Sequence, residues 1–298
     1  MRLRILALLV TTTLARTVPA QVTWRGVGDD FSHAGSDIWY VWTSPFHAGG
    51  RDWLGAGGVA VGFAAITPLD KPVAQWVASH QESVIIRAIG PLRASHFIYR
   101  GITLGNLATV EGIAPLGGAA YIIGLASHDL QLREGGLTCI GLLEASVTTR
   151  EVVYRSVGRK RPYSSPDDQY HFSIPGGDST AHSFFSGHSA NVMSCMSYLN
   201  HRFDLRGFGP FLYVLPAGIG LARMADGAHW LSDTALGLTF GYALGANVAR
   251  RSLDRKRSAE ERQRDAVEYA AARVAGGRTG FSFVPEGRGG TVGFKIAF

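Results

Sequence analysis

The sequence has little charge and little cysteine for its length. Of its 298 residues, 17% are charged and two are cysteines, Cys139 and Cys195. Neither cysteine has a second Cys or a His at ligand spacing, which argues against a zinc site built on them. Both lie in apolar helical sequence, where a disulfide and a pair of buried free thiols are equally good interpretations.

Long apolar runs and strand-like alternation are also scarce. Each apolar segment is interrupted by a charge or is only about long enough to cross a bilayer, and the mean hydropathy is +0.08. We therefore expect a soluble or peripheral domain rather than an integral membrane protein. The fold class predicted is all-α: a helical bundle core at residues 21–275, then a small C-terminal β-hairpin at residues 276–298, where apolar and polar residues alternate around PEGRGG.

The basic residues concentrate near the two ends of the chain and around Arg159 to Arg161. The net charge of +6 comes without a strip of interleaved basic and aromatic residues, so we expect no nucleic-acid partner. Residues 1–20 combine basic MRLR, an apolar run and small residues at Val18 and Ala20. This pattern predicts a signal peptide, cleavage before Gln21 and an exported, periplasmic or envelope-associated protein; an uncleaved anchor is the alternative.

Periodicity and turn residues divide the rest of the chain. Residues 21–51 show no sustained period and predict loops with short helical pieces. Helices are predicted at residues 73–87, 104–130 and 137–157, with a turn at REGG (133–136) between the last two. A Gly- and Pro-rich loop follows at 162–182, then helices from residue 187, at 211–221 and at 228–248, and a charged, solvated helix ending at Gly276.

His229 and Asp233 are four residues apart in RMADGAHWLSD. On one helix they share a face, so the carboxylate can hold one imidazole nitrogen protonated and leave the other free. A free imidazole nitrogen is a nucleophile or a base.

An anion site is indicated in SFFSGHSA. Ser186, Gly187 and His188 stand at the predicted start of a helix, where unpaired backbone N–H groups and the helix dipole favour a phosphate. Ser186 adds a hydroxyl, and His188 is placed to give a proton to a leaving oxygen. Read alone, the same fragment is equally consistent with a serine N-cap and an exposed histidine.

Two arginines complete the set of charged groups. Arg161 in VGRKRP and Arg223 can each neutralise nonbridging oxygens with two parallel hydrogen bonds. The same arginines would repel a cation, so we expect no metal among His188, His229 and Asp233. A serine hydrolase is disfavoured because no G-x-S-x-G sequence is present.

Together these motifs resemble those of the type 2 phosphatidate phosphatase superfamily, which includes bacterial nonspecific acid phosphatases and vanadium haloperoxidases. The resemblance covers residues 134–251. It implies a helical core with the site at helix ends, no metal cofactor, and a phosphorylated small-molecule or lipid substrate. It also implies residue roles: His229 as nucleophile forming a phosphohistidine, Asp233 orienting it, His188 as general acid, and a phosphate cradle of Arg161, Ser186, Gly187 and Arg223.

The sequence departs from the family pattern at three positions. The family's first-motif lysine is replaced by Tyr154, the proline before Ser-Gly-His by Phe185, and the serine before the third-motif arginine by Ala222. Arg155 is a candidate replacement for the lysine, although one residue turns a helical side chain by about 100°. Tyr154 itself can still donate a hydrogen bond.

Three functions remain open on this basis. The leading hypothesis is an exported phosphatase acting on phosphate monoesters or lipid (pyro)phosphates. The second is a haloperoxidase with vanadate as cofactor. In the first hypothesis vanadate would act only as an inhibitor. The third is a non-catalytic envelope protein that binds a partner or a membrane. The oligomeric state is not indicated.

Overall fold

The computed structural model describes residues 24–93, 108–275, 279–286 and 289–296. The predicted signal peptide at 1–20 lies outside these residues. They form helices and strands in the following order: α1 Trp24–His47, α2 Gly50–Ile66, α3 Asp70–Ser79, α4 Val84–Ala88, α5 Val110–Ser127, α6 Leu130–Val157, α7 Gly187–Arg202, α8 Val214–Ala225, α9 Leu231–Ala275, β1 Thr279–Glu286 and β2 Gly289–Ile296.

The all-α prediction is confirmed, and so is the terminal hairpin. Strands β1 and β2 pair antiparallel, with Thr279 opposite Ile296 and Glu286 opposite Gly289. The long polar segment between α6 and α7 is irregular apart from one 3-10 turn, as the glycines and prolines in it predict.

The prediction of loops at residues 21–51 is wrong, because α1 is a helix of 24 residues. Its polar residues break the expected period since they form ion pairs with distant helices. Asp30 lies 2.6 Å from Arg133 of α6, and the buried Asp37 lies 2.6 Å from Arg255 of α9. Pairing with partners so far along the chain leaves no local signal.

The predicted turn at residues 133–136 is also wrong, because α6 runs through it. The chain turns earlier, at His128 in the left-handed conformation (φ 58°), and Asp129 caps α6 by accepting from Gln131 N–H at 2.8 Å. Gly136 serves a different purpose. A Cβ there would lie 2.4 Å from the Gly117 carbonyl oxygen, so the glycine permits α5 and α6 to cross closely.

Two further helix boundaries differ from the prediction. The single helix expected at 73–87 is two helices, α3 and α4, separated at residues 80–83. The helix expected at 228–248 and the charged helix after it are one continuous element, α9, of 45 residues. The charged half of α9 is largely exposed, as its composition predicts.

Helix α7 lies at the centre of the bundle, between α6 and α9. Cys139 of α6 and Cys195 of α7 form a disulfide, so the free-thiol interpretation is wrong. On the other side of α7, glycines in α9 allow these two helices to approach each other closely. Cβ atoms at Gly241 and Gly245 would lie 2.4 and 2.1 Å from the carbonyl oxygens of Ala190 and Ser194. These two glycines therefore lie at a close crossing of α7 and α9.

Within the described residues, one helical stretch has the length and composition to cross a membrane, Gly50–Ser79. It comprises α2, a 3-10 turn and α3. Helix α2 buries none of its residues, and Trp53 and Leu54 are largely exposed.

Candidate active site

The three sequence motifs meet at the N-terminal ends of α7 and α9. Ser183 N–H donates to the Arg159 carbonyl at 3.1 Å, and Ser186 N–H donates to the Asp233 carbonyl at 3.0 Å. Tyr163 N–H reaches the Gly227 carbonyl at 3.1 Å. These backbone hydrogen bonds hold VGRKRP, SFFSGHSA and RMADGAHWLSD against one another, as the motif grouping predicts.

Beneath the site lies a buried group of three charges, the Asp70–Arg159–Asp233 triad, whose side chains are all fully buried. Arg159 lies 2.7 Å from Asp70 Oδ2 and 2.6 Å from Asp233 Oδ1. Ser232 Oγ accepts from Arg159 at 2.8 Å and donates to Asp70 at 2.6 Å. Because each charge has an opposite charge and hydrogen-bond partners, the triad can remain ionised in the interior.

Asp233 is the third residue of α9. Its carboxylate accepts from Trp230 N–H at 3.1 Å, the contact by which an acidic side chain closes the first turn of a helix. Burial raises the pKa of Asp233 to about 6, and the Arg159 guanidinium and the Ser183 hydroxyl act in the opposite direction.

The prediction that His229 and Asp233 share a helix, with a direct hydrogen bond between them, is wrong. His229 precedes α9, which begins at Leu231. The imidazole Nδ1 lies 2.8 Å from the Ser183 carbonyl oxygen, while Asp233 Oδ2 accepts from the Ser183 hydroxyl at 2.5 Å. Ser183 therefore links the two residues, and Asp233 acts on His229 through it.

This arrangement fixes the tautomer of His229. A carbonyl oxygen only accepts hydrogen bonds, so the proton must lie on Nδ1. In the neutral ring, Nε2 then carries the free lone pair. The side chain is almost completely buried, and burial lowers the pKa of His229 well below its usual value, with the Arg161 and Arg223 guanidinium groups adding to the effect.

Gly187 begins α7, as predicted, and Ser186 is its N-cap residue. The N–H groups of the first turn of α7 have no partner within the helix, which suits them to an anion. The buried Ser186 hydroxyl lies 2.9 Å from the Ser189 hydroxyl, and the Ser186 N–H already has a partner. Ser186 thus fixes the start of α7, and a contact with phosphate remains a prediction for it.

His188 follows in the first turn of α7 and is half-buried. Burial lowers the pKa of His188 well below its usual value, and the charges of Arg223, Arg150 and Arg161 lower it further. The predicted acid and the predicted phosphate-binding arginines are thus near enough for their charges to act on one another.

Arg161 and Arg223 each have a buried Nε that lacks a hydrogen-bond partner among the described residues. Arg223 Nη1 pairs with Asp226 at 3.1 Å, leaving its other edge free for an anion. A buried guanidinium N–H without a partner costs free energy, which a bound oxyanion would recover.

Within the described residues, no group of three His, Cys, Asp or Glu side chains has the arrangement of a metal site.

Tyr154, which stands where the family has lysine, is buried. Its hydroxyl donates to the Phe185 carbonyl at 3.1 Å, and its ring stacks on His182 with 4.9 Å between ring centroids. Arg155, the candidate replacement for the lysine, is exposed. Neither residue therefore brings a free positive charge to the first turn of α7.

Sequence reasoning missed four side chains that the structure places in or beneath the site. Arg159 stood in a motif but had no role assigned, and Ser183 opened SFFSGHSA without one. Arg150 is one helical turn before Tyr154, a spacing at which a replacement cation could have been sought. Asp70 gave no signal, because its pairing with Arg159 depends on tertiary contact alone.

The described residues form an all-helical domain in which two histidines stand with two arginines whose buried Nε atoms lack hydrogen-bond partners, an arrangement suited to binding an oxyanion, as in phosphatase-like proteins. Residues 137–257 match the family model of the PAP2 superfamily. The match supports the PAP2/phosphatase superfamily for this segment, and members of that superfamily are phosphohydrolases. No curated protein and no solved structure matches the chain.

Proposed function

We propose that the chain is a phosphohydrolase that transfers a phosphoryl group from its substrate to His229 and then to water. The observation that carries this proposal is the hydrogen bond from His229 Nδ1–H to the Ser183 carbonyl at 2.8 Å. It leaves Nε2 as the unprotonated nitrogen, and the buried Nε groups of Arg161 and Arg223, whose charges act on His229, lack partners among the described residues. A free imidazole nitrogen next to an anion site is the arrangement that nucleophilic phosphoryl transfer requires.

In the first step, His229 Nε2 attacks phosphorus, so that an N–P bond forms and the ester P–O bond breaks. The leaving oxygen takes a proton from His188. In the second step, water attacks phosphorus, the N–P bond breaks, and His188 takes back a proton from the water. Arg161, Arg223 and the Gly187 N–H neutralise the nonbridging oxygens throughout.

For His188 to act as an acid it must carry a proton when substrate is bound. In the free site its pKa is lowered well below the usual value by burial and the arginines. A phosphate dianion next to the imidazole opposes both effects and raises the pKa of His188. We therefore expect proton uptake on phosphate binding at pH 7, measurable by calorimetry in buffers of different ionisation enthalpy.

A groove next to the site favours lipid phosphates among the substrates. It encloses about 790 Å³ between α1, α2, α6 and α9, with Trp42, Trp53 and Phe240 among its lining residues. The ring of Phe240 lies 4.9 Å from that of Phe185, the residue before Ser186. An acyl chain in this groove would contact Phe240, whose neighbour Phe185 directly precedes Ser186.

The proposed location is the cell envelope, after export and removal of residues 1–20. The exposed apolar side chains of α2 support contact with a membrane surface. N-terminal sequencing of the mature protein tests the cleavage: a first residue of Gln21 supports it, and Met1 contradicts it. Activity on a lipid phosphate and a water-soluble phosphate ester, each with and without detergent, tests the substrate class.

The central experiment replaces His229. In His229→Ala we expect no turnover of a chromogenic phosphate ester and no trapping of labelled phosphate on the protein. The matched control is His201→Ala, because His201 Nδ1 also lies 2.8 Å from a backbone carbonyl, that of Ser197, but in the last turn of α7. The control should keep its activity, and full activity in His229→Ala would overturn the mechanism.

The other two hypotheses give different results with the wild-type protein. A haloperoxidase would oxidise halide with peroxide once vanadate is added, and a non-catalytic binding protein would neither hydrolyse phosphate esters nor oxidise halide. Phosphate release without halide oxidation supports the phosphohydrolase.

A further inference from the structure

The position of Arg150 suggests a third cation at the phosphate site. Arg150 lies on α6, one turn before Tyr154 and on the same face of the helix. The centre of its guanidinium group is 5.4 Å from the centroid of the Tyr154 ring. The side chain is 21% exposed, so it is mostly enclosed by the protein.

Arg150 also crosses the first residue of α7. A Cβ built on Gly187 would lie 2.4 Å from Arg150 Cδ and 2.8 Å from Arg150 Nη1. Gly187 has a negative φ, so a Cβ there would be opposed by the arginine side chain rather than by the backbone conformation. The guanidinium group therefore lies against the helix N-terminus, beside the residue before His188.

The hydrogen bonding of Arg150 leaves one edge unused. Nη2 donates to Glu151 at 2.7 Å. Nε is buried and has no hydrogen-bond partner among the described residues, the same condition as in Arg161 and Arg223. Arg150, Arg161 and Arg223 thus share the same unpaired atom, and the charges of all three lower the pKa of His188.

These three positive charges are only partly balanced. Among the described residues, the carboxylates paired with them are Glu151 for Arg150 and Asp226 for Arg223. Like charges gathered in a partly dehydrated space repel one another, and a dianion between them would remove that cost.

We propose that Arg150 binds a nonbridging phosphate oxygen together with the Gly187 N–H, and so supplies the positive charge that Tyr154 does not. This inference rests on the proposed function for its substrate, but it is tested by anion binding alone. Arg155 does not serve this purpose, because it is exposed and one residue beyond Tyr154 on the helix.

The test measures binding of inorganic phosphate and of vanadate by calorimetry. We compare wild type with Arg150→Met, Arg150→Lys and the matched control Arg155→Met. Loss of a charged hydrogen bond weakens binding by roughly 10- to 100-fold, which is the change expected for Arg150→Met. Arg150→Lys should recover part of the loss because it restores the charge, and Arg155→Met should stay within about twofold of wild type.

Each result supports or contradicts the inference. Phosphate binding in Arg150→Met equal to that of wild type overturns it, and so does equal weakening in Arg150→Lys and Arg150→Met, since only packing across Gly187 would then matter. If Arg150→Met fails to fold, Arg150→Gln replaces it as the uncharged variant. Wild-type protein that binds phosphate through Arg150 but hydrolyses no ester would overturn the proposed function while leaving this inference intact.

Discussion

The Ser183 hydroxyl donates a 2.5 Å hydrogen bond to Asp233 Oδ2 while its own carbonyl oxygen accepts from His229 Nδ1 at 2.8 Å. One residue thus connects the carboxylate to the imidazole through two different groups. The carboxylate holds the Ser183 side chain, and the Ser183 main chain fixes the tautomer of His229.

Removing the Ser183 hydroxyl separates these two functions. In Ser183→Ala the carbonyl still holds His229, but Asp233 loses one of its hydrogen bonds. Because a hydrogen bond to a charged group contributes about 1.5–3 kcal/mol, we expect kcat to fall by about tenfold or more. Steady-state kinetics measure the change. Ser194→Ala is the control, since Ser194 is also buried but donates to the Asn191 carbonyl within α7; wild-type kcat in Ser183→Ala would contradict the link.

Replacement of Arg159 should lower the stability of the folded protein. Arg159→Met leaves Asp70 and Asp233 buried without their cation, which we expect to lower the free energy of unfolding by about 3–5 kcal/mol. Urea denaturation gives the value. The neighbouring Lys160→Met is the control, because Lys160 lies 3.6 Å from a largely exposed Asp178 and such pairs contribute at most about 1 kcal/mol. Equal stability of the two variants would contradict the role of Arg159 in offsetting the charges of the two buried carboxylates.

The lowered pKa of His229 predicts how stability depends on pH. Folded His229 stays neutral, whereas in the unfolded chain it takes up a proton near its ordinary pKa of 6.5. Below that pH the unfolded state binds more protons, so this residue makes stability fall as pH falls, by at most about 1.4 kcal/mol per pH unit. The raised pKa of Asp233, about 6, acts in the opposite direction.

The comparison of wild type with His229→Gln isolates that contribution, because Asp233 is present in both proteins. Wild type should lose more stability than the variant when the pH is lowered from 6.5 to 5. Urea denaturation at a series of pH values measures the difference. A constant difference across this range would show that His229 keeps an ordinary pKa in the folded protein.

The close crossing of α7 and α9 predicts opposite effects for two glycine substitutions. A Cβ at Gly245 would lie 2.1 Å from the Ser194 carbonyl oxygen, so Gly245→Ala should lower the free energy of unfolding by about 1–3 kcal/mol. Gly57 of α2 has nothing within 4 Å of its Cβ position. Gly57→Ala should therefore raise stability by about 0.4–1 kcal/mol, because alanine restricts the unfolded chain. A shift of both variants in the same direction would argue against the crossing.

Much of the fold followed from local pattern. The helix at SFFSGHSA, the irregular segment after Pro162 and the terminal hairpin were predicted because periodicity and turn residues act over a few positions. Helix α1 and the uninterrupted α6 were not. In α1 the polar residues form ion pairs with remote helices, and in α6 Gly136 accommodates a neighbouring helix rather than a turn.

By itself, the sequence determined which groups are candidates for the chemistry of the site: the histidines, arginines and carboxylate stand in short motifs whose spacing is readable without coordinates. Only the tertiary structure decided how they act on one another. Ser183 stands between Asp233 and His229, Asp70 joins Arg159 from far along the chain, and Arg150 crosses Gly187, the residue before His188. These contacts join residues on different helices and loops, so their geometry depends on how those elements pack and is absent from any local pattern.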